Sequence, residues 1–429
     1  MPVIAQMQDH PLRYQLANEL HARPFPTLTA PCTAIFVAFK QVPGAAARDR
    51  SLDRAHLTAL LDRFGAAHPP PDATHYSGHI GRHVLKWEQH TEFITYTAFI
   101  DGLSARAFDP ADFEVFPEDW LADAPGQRIT SALMRVASHP GDAEVLTALD
   151  DWFVPESLAV TDALDGAATI AGDFRIDPAG HQRFAIFVAE HTGQRRIGRM
   201  VQRLLEIETY KSMSMLGFSR ARALSGPIGG LDDQLSALMG EMTDKAHKAE
   251  DTLQHLLTIS AELEAMAAQA SFRFGATAAY EAIVCQRIVA LREARFGGRP
   301  TFAEFMQRRY EPAMRTVKAT EARLQVLADR AIRAGNLLRT QVDVERSAQN
   351  QAVLTSMDKR ADLQLRLQHT VEGLSVVAIS YYAVSLVGYL MYPLGVALGI
   401  SKGMLIAAVT LPVLAAVWWA VRRIRKKLN

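Results

Sequence analysis

Three histidines, His75, His79 and His83, recur at every fourth position. On a helix that spacing would align three imidazoles around a metal ion. Gly78 and Gly81 interrupt the stretch, however, and Pro69, Pro70 and Pro71 precede it. It therefore reads as a loop with incidental histidines, and neither a metal nor any other cofactor is expected. The segment His10–Pro26 (HPLRYQLANELHARPFP) is dense in polar groups for a docked helix. Its Arg13, Asn18, Glu19, His21 and Arg23 suit recognition of an anionic ligand or a partner. They equally suit a salt-bridged lock that ties the first helix to its domain, and with no catalytic group to join them the lock is the simpler reading.

Two further clusters invite the same test. Lys86, Trp87, Glu88, His90, Thr91 and Glu92 flank a polar turn, a common setting for exposed charges as well as for binding residues. Arg195, Arg196, Arg199 and Arg203 stripe one helix, but Glu206 and Glu208 follow closely, which favours a solvated or intersubunit face over a phosphate site. The chain lacks a nucleophile elbow, a phosphate loop, a zinc-protease helix and a dinucleotide fingerprint in any suitable context. The expectation is a protein without catalytic residues.

The elements that must carry these side chains follow from patterning. Of 429 residues, 49% are hydrophobic, and 46 basic side chains balance 46 acidic ones. That excludes a disordered chain and speaks against a nucleic-acid binder. Cys32 and Cys285 lie far apart with no metal-type spacing, so no disulfide framework is read and a reducing compartment is expected. The segment MPVIAQMQDHPLR has no basic stretch followed by an apolar core, so a secretory signal is not expected.

Residues 1–190 read as an α/β domain. Thr33–Lys40 is strand-like and Ser51–His68 helical. His83–Glu88 with Phe93–Ile100, and Thr169–Ile176 with Arg183–Ala189, read as two hairpins. Helical patterns are expected near 128–138 and 141–150. Residues 191–300 form a helical hairpin region, broken at Ser225–Gly230, optionally at Gly275, and again at Gly297–Pro300. Residues 301–372 read as a stalk helix in which 313–372 alone would span about 90 Å. Val317, Leu324, Ala331 and Leu338 recur there every seven residues. That heptad serves either self-association or a coiled coil with residues 231–296.

From Gly373 to Val421 the only charged side chain is Lys402. A hydrocarbon core about 30 Å thick needs roughly 20 apolar helical residues, so two spans are expected, near Leu374–Tyr392 and Lys402–Val421. Pro393, Gly395 and Gly399 mark the turn between them. Arg360, Arg366 and His369 precede the first span, and a basic tail, residues 422–429, follows the second. The positive-inside rule then puts both termini in the cytoplasm and the protein in the inner membrane as a multi-pass protein. The fold class expected is α+β: an N-terminal α/β head with β-hairpins, a helical hairpin and stalk, and two C-terminal transmembrane helices.

The segment HPLRYQLANELHARPFP, with KWEQHTEF at 86–93 and the two C-terminal spans, resembles an uncharacterised bacterial family of predicted membrane-anchored proteins. That resemblance covers nearly the whole chain and implies a membrane location without an activity. The order of head, helical hairpin, long helix, two spans and basic tail is also similar to the CorA-type divalent-cation channels. Gly388–Pro393 (GYLMYP) stands where that family carries Tyr-Gly-Met-Asn, and the loop LGVALGIS has no acidic residue, so the Gly-Met-Asn signature is absent. The channel resemblance implies a homo-oligomer associating through the stalk and first span, with a cation as cargo and a divalent cation as the candidate. Ser380, Ser385 and Tyr389 would then line its path, and Asp362 and Glu372 would concentrate cations at the cytoplasmic mouth. The alternative expectation is a membrane-anchored scaffold or sensor whose cytoplasmic head binds a partner. No nucleic-acid partner is expected.

Overall fold

A computed structural model describes residues 8–19, 25–42, 44–242 and 249–428. The chain divides into two compact units, one formed by Met1–Asp244 with Gln254–Ala334, the other by Lys245–Leu253 with Gly335–Asn429.

The first unit is built on a mixed nine-stranded sheet. In chain order its strands are β1 (Cys32–Lys40), β2 (His75–Ile80), β3 (His83–Gln89), β4 (Phe93–Asp101), β5 (Gln127–Ser138), β6 (Ala159–Ala163), β7 (Ala168–Gly172), β8 (Gln182–Val188) and β9 (Ala294–Arg295). They lie in the order β2-β3-β4-β1-β5-β8-β7-β6-β9, all antiparallel except β5 with β8. Both expected hairpins form, as β3–β4 and β7–β8.

Alternation sorts the side chains of the sheet onto two faces. One face carries Ile35, Val37, Phe39, Leu85, Trp87, Ile94, Tyr96 and Leu133 into an apolar cluster, closed by Leu57, Leu60 and Leu61 of α2 (Arg50–Arg63), Trp120 of α3 (Glu118–Ala122) and Leu149 of α4 (Asp142–Trp152). Trp87 and Trp120 are fully buried there, each worth about 1.5–3 kcal/mol or more of transfer free energy by apolar area. The opposite face, carrying Phe36, Thr95 and Thr97, meets α5 (Gln194–Glu241).

Two segments differ from their sequence pattern. Residues 128–138 are not a helix but the central strand β5. Ile129, Leu133 and Val136 fit helical spacing, yet both faces of this strand are covered, which erases the polar alternation that would mark it. The histidine stretch is not a loop but the edge strand β2, paired Tyr76↔Trp87 and His79↔Val84. His75 and His79 share the sheet face of Glu88, whereas His83 lies on that of Trp87, so the three imidazoles do not converge.

The helices run through their expected breaks. α5 continues past Ser225–Gly230 with Pro227 inside it, because Leu224, Ile228 and Leu231 are buried on either side while Gly226 and Pro227 face solvent. Burial of that stripe outweighs the lost backbone bond. α6 (Ala249–Val289) passes through Gly275 unbroken. The break at Gly297–Pro300 does occur, ahead of α7 (Phe302–Arg309), which opens on a capping box between Thr301 and Glu304.

α8 runs without interruption from Glu311 to Ala397. Within the first unit its heptad face packs inside the chain: Leu324, Leu327 and Ala331 are buried, Arg323 pairs with Asp232 of α5 at 2.9 Å, and Lys318 with Glu281 of α6 at 2.8 Å. Of the two uses of the heptad, the intramolecular coiled coil is the one formed here.

In the second unit, α8 also passes the expected stop at Pro393 before a turn over residues 398–401 reverses it into α9 (Lys402–Leu428). Gly395 lets the two helices approach, since a Cβ there would sit 2.6 Å from Leu405 Cδ1. Two helices, Phe302–Ala397 and Lys402–Ile424, carry windows long and apolar enough to cross a membrane, and only 6% of either window is buried within the protein.

Candidate functional site

The sheet face toward α5 should be apolar throughout if it served packing alone, yet β3 places Lys86 and Glu88 on it. Alternation dictates this: Leu85 and Trp87 enter the apolar cluster, so their neighbours must point the other way. Pairing sets Lys86 opposite Thr97 and Glu88 opposite Thr95. These four residues form the polar floor of a half-open cavity of about 250 Å³. Its opposite wall is Gln202, Leu205, Glu206, Thr209 and Tyr210 of α5 with Arg287 of α6, and Phe25, Pro26, Phe36 and Phe99 supply apolar surface.

A chain of charges crosses the cavity. Lys86 Nζ lies 3.2 Å from Glu88 Oε1 and donates to Gln202 Oε1 at 2.8 Å. Gln202 Nε2 donates to Glu206 Oε1 at 2.8 Å, and Arg287 pairs with Glu206. Lys86 is only 8% exposed, so it is held by these partners rather than by solvent. Thr95 and Thr97 are each 5% exposed, and among the described residues neither hydroxyl has a hydrogen-bond partner. Both hydroxyls open onto the cavity, where water or a polar ligand group can satisfy them.

Three buried networks surround this floor. Glu92, 1% exposed at the β3–β4 turn, accepts from Arg273 and from Tyr280 Oη at 3.0 Å, with Lys40 Nζ at 3.7 Å. Burial lowers the Lys40 pKa, partly offset by Glu92, and burial with the Glu92 charge raises that of Tyr280. On the other side of the turn, Arg48 pairs with Asp53 at 2.9 Å and donates to the carbonyls of His90 and Phe93, holding the turn to α2. Along α5, Glu208 is wholly buried and accepts from Thr130, Lys211 and Ser212 at 2.7–2.9 Å.

The cluster around 86–92 is therefore not an exposed turn: Lys86, Trp87 and Glu92 are all buried. The arginine stripe of α5 is not wholly solvated either, since Arg196 donates to Leu164 O and Arg203 to Ala290 O, with burial lowering the Arg203 pKa. Of the N-terminal candidates, Arg13 on α1 (Arg13–Glu19) is exposed and pairs with Asp9. The side chains of Asn18 and Glu19, and all of His21 and Arg23, lie outside the described residues. What the structure does show of that segment is its end. Phe25 and Pro26 line the cavity, and Gly198 makes their seat: a Cβ on it would lie 1.7 Å from Pro26 O.

The residues named for an ion path do not share one face. Ser380 is buried and Tyr389 is 74% exposed, and at about 100° per residue they stand on opposite sides of α8, with Ser385 near the Tyr389 side. Asp362 pairs with Arg366 at 3.1 Å, and Glu372 approaches His369 at 3.9 Å. Among the described residues no group of three His, Cys, Asp or Glu side chains is placed to hold a metal ion.

Thus the two stretches singled out in the sequence, His10–Pro26 and Lys86–Phe93, meet at one cavity. A family model described as a protein of unknown function, DUF3422, matches residues 8–428. The chain belongs to that family. A search of curated proteins finds no match. The family model spans the head, the long helix and both apolar helices.

Sequence reasoning missed Thr95, Thr97, Gln202, Tyr210 and Arg287. Only Lys86 and Glu88 carried a legible signal, as charges on alternate positions of an otherwise apolar strand.

Proposed function

We propose that this protein is a bilayer-anchored binding protein, in which the head takes a small ligand and the α8–α9 hairpin holds it at the membrane. The observation that carries this reading is the cavity. It is a half-open cleft lined by the sheet, α5 and the Phe25–Pro26 segment, it contains ion pairs at little solvent exposure, and two threonine hydroxyls without protein partners open onto it. Burying charged groups costs stability even when they are paired, so their concentration in a cleft supports a recognition role.

The anchor reading draws on the largely exposed apolar windows of α8 and α9 and on their flanks. Arg422 and Arg423 lie over Trp418 and Trp419 at 4.9 and 5.2 Å, an arrangement suited to a membrane interface, and basic residues at both outer ends favour a cytoplasmic head in the inner membrane.

Labelling tests this directly. Cys285 is exposed in the head and Cys32 is buried. In intact cells a membrane-impermeant maleimide should leave Cys285 unmodified, and after lysis it should react, with the protein retained in membranes at alkaline pH. Labelling of intact cells, or release into the alkaline wash, would contradict the anchored cytoplasmic head.

A CorA-like homo-oligomeric cation channel is the second reading, favoured by one observation: α8 continues unbroken from the head into the apolar segment. It ranks second because Ser380 and Tyr389 point apart and the loop between the helices holds no carboxylate. Two helices per chain cannot enclose a path, so native mass showing a monomer or dimer would end this reading.

A further inference from the structure

Resting on the reading of the head as a binding domain, we infer that its cavity takes a small zwitterion with an apolar side chain, of the α-amino-acid type. Charge comes first. Besides the imidazole of His90, the cavity lining holds two cations, Lys86 and Arg287, and two carboxylates, Glu88 and Glu206, these four already paired with one another. A phosphate or other net anion entering this space would be desolvated against Glu88 and Glu206 with no cation in excess. A simple cation would meet Lys86 and Arg287 in the same way. A ligand with both charges and no net charge meets neither cost.

Placement comes second. Lys86 and Thr97 are cross-strand partners, and Glu88 and Thr95 are the next pair along the same ladder. A ligand carboxylate beside Lys86 accepts from its Nζ and from the Thr97 hydroxyl. A ligand ammonium beside Glu88 donates to that carboxylate and to the Thr95 hydroxyl. One internal ion pair is thereby exchanged for two charge-assisted contacts, and both unpartnered hydroxyls are satisfied. The remaining surface, Phe25, Phe36, Phe99 and Leu205, is apolar and suits an aliphatic or aromatic side chain. Size comes third. The volume, about 250 Å³, lies below the roughly 300–1,000 Å³ of pockets for drug-sized molecules and matches a ligand of amino-acid size.

The test is calorimetric titration of the full-length protein in nanodiscs with L-leucine and L-phenylalanine. Isoamylamine and 4-methylpentanoate, which keep one charge each, and glucose, a neutral polyol, serve as comparisons. At least one amino acid should bind. Each single-charge analogue should bind at least about tenfold more weakly, the loss expected for one charge-assisted contact. Lys86→Met and Glu88→Gln should each weaken binding by about tenfold or more, and the near-isosteric Thr97→Val by about three- to tenfold, with thermal unfolding confirming that the variants are folded.

Failure of both amino acids to bind below about 10 mM would overturn the inference, as would analogues binding as tightly as the zwitterions. So would a Thr97→Val protein that is folded and binds with unchanged affinity. Binding of glucose instead would reject the zwitterion while leaving the head a binding domain. Loss of the anchored-head reading would show separately, in the Cys285 labelling.

Discussion

Replacing Gly198 by alanine should destabilise the head, although alanine is the better helix former. Gly198 lies inside α5, where exchanging glycine for alanine ordinarily gains about 0.8–1 kcal/mol. Here the added methyl would sit 1.7 Å from Pro26 O and 2.7 Å from Pro26 C, and the carbonyl belongs to the backbone, so no rotamer change relieves the clash. The segment must retreat by more than about 1 Å to restore van der Waals contact. That movement strains the Leu28 N–H bond to Gln194 O, now 3.3 Å, and lifts Phe25 from the cavity.

Overpacking of a close contact costs about 1–3 kcal/mol and a lost hydrogen bond about 0.5–1.5 kcal/mol, against the helical gain of about 1 kcal/mol. The net expectation is a loss of about 0.5–3.5 kcal/mol, or roughly 1–5 °C in Tm for a unit of this size. Thermal unfolding of the full-length protein measures it, with Gly230→Ala as comparison. Gly230 is exposed in the same helix with nothing within 4 Å of a Cβ, and its substitution should raise Tm by a few degrees. Hydrogen exchange at the Leu28 amide should quicken in Gly198→Ala alone. A Gly198→Ala protein stabilised as much as Gly230→Ala would refute the seating of Pro26 on α5.

Three further outcomes are expected. Glu92→Gln removes the buried carboxylate from the half-buried Arg273 and Lys40, and chemical denaturation should show a loss of about 1–3 kcal/mol; a loss below about 0.5 kcal/mol would mean those cations are satisfied by solvent. His56 is buried, accepts from Tyr96 Oη through Nδ1 at 2.8 Å and donates to Trp120 O through Nε2 at 2.9 Å, and burial lowers its pKa. The unfolded state therefore takes up the proton first: this contribution is complete above the ordinary value of about 6.5 and is lost as pH falls from there toward the folded pKa. Tm should drop between pH 7.5 and 5.5, and a folded His56→Gln protein should show a smaller drop; an identical drop would assign the effect to other groups. Pro227→Ala restores a backbone donor on the exposed side of α5 and should stabilise by about 1–3 kcal/mol, whereas an unchanged Tm would mean the proline already terminates a bond the helix does not need.

How far the molecule could be read from its residues depends on where the information lies. The two hairpins were legible because polar turns separate alternating runs, and the apolar helices because their composition is extreme over a long stretch. β5 was not, since a strand covered on both faces loses its period. Pro227 and Pro393 suggested breaks because a breaker is a local signal, while the packing that overrides it comes from residues far along the chain. The same distance hides the cavity. Phe25, Lys86, Thr97, Gln202 and Arg287 are brought together only by the sheet register and the packing of α5 and α6 on it, and no spacing in the sequence records that.

The most direct test of the account replaces residues 373–421 by an unrelated two-span anchor and asks whether the chimera restores the growth or fitness defect of a deletion strain. The account predicts rescue by the chimera, and failure of the full-length protein carrying Lys86→Met with Glu88→Gln although it reaches the membrane at normal levels. Rescue by that double variant, together with failure of the chimera, would place the function in the spans and contradict a working head.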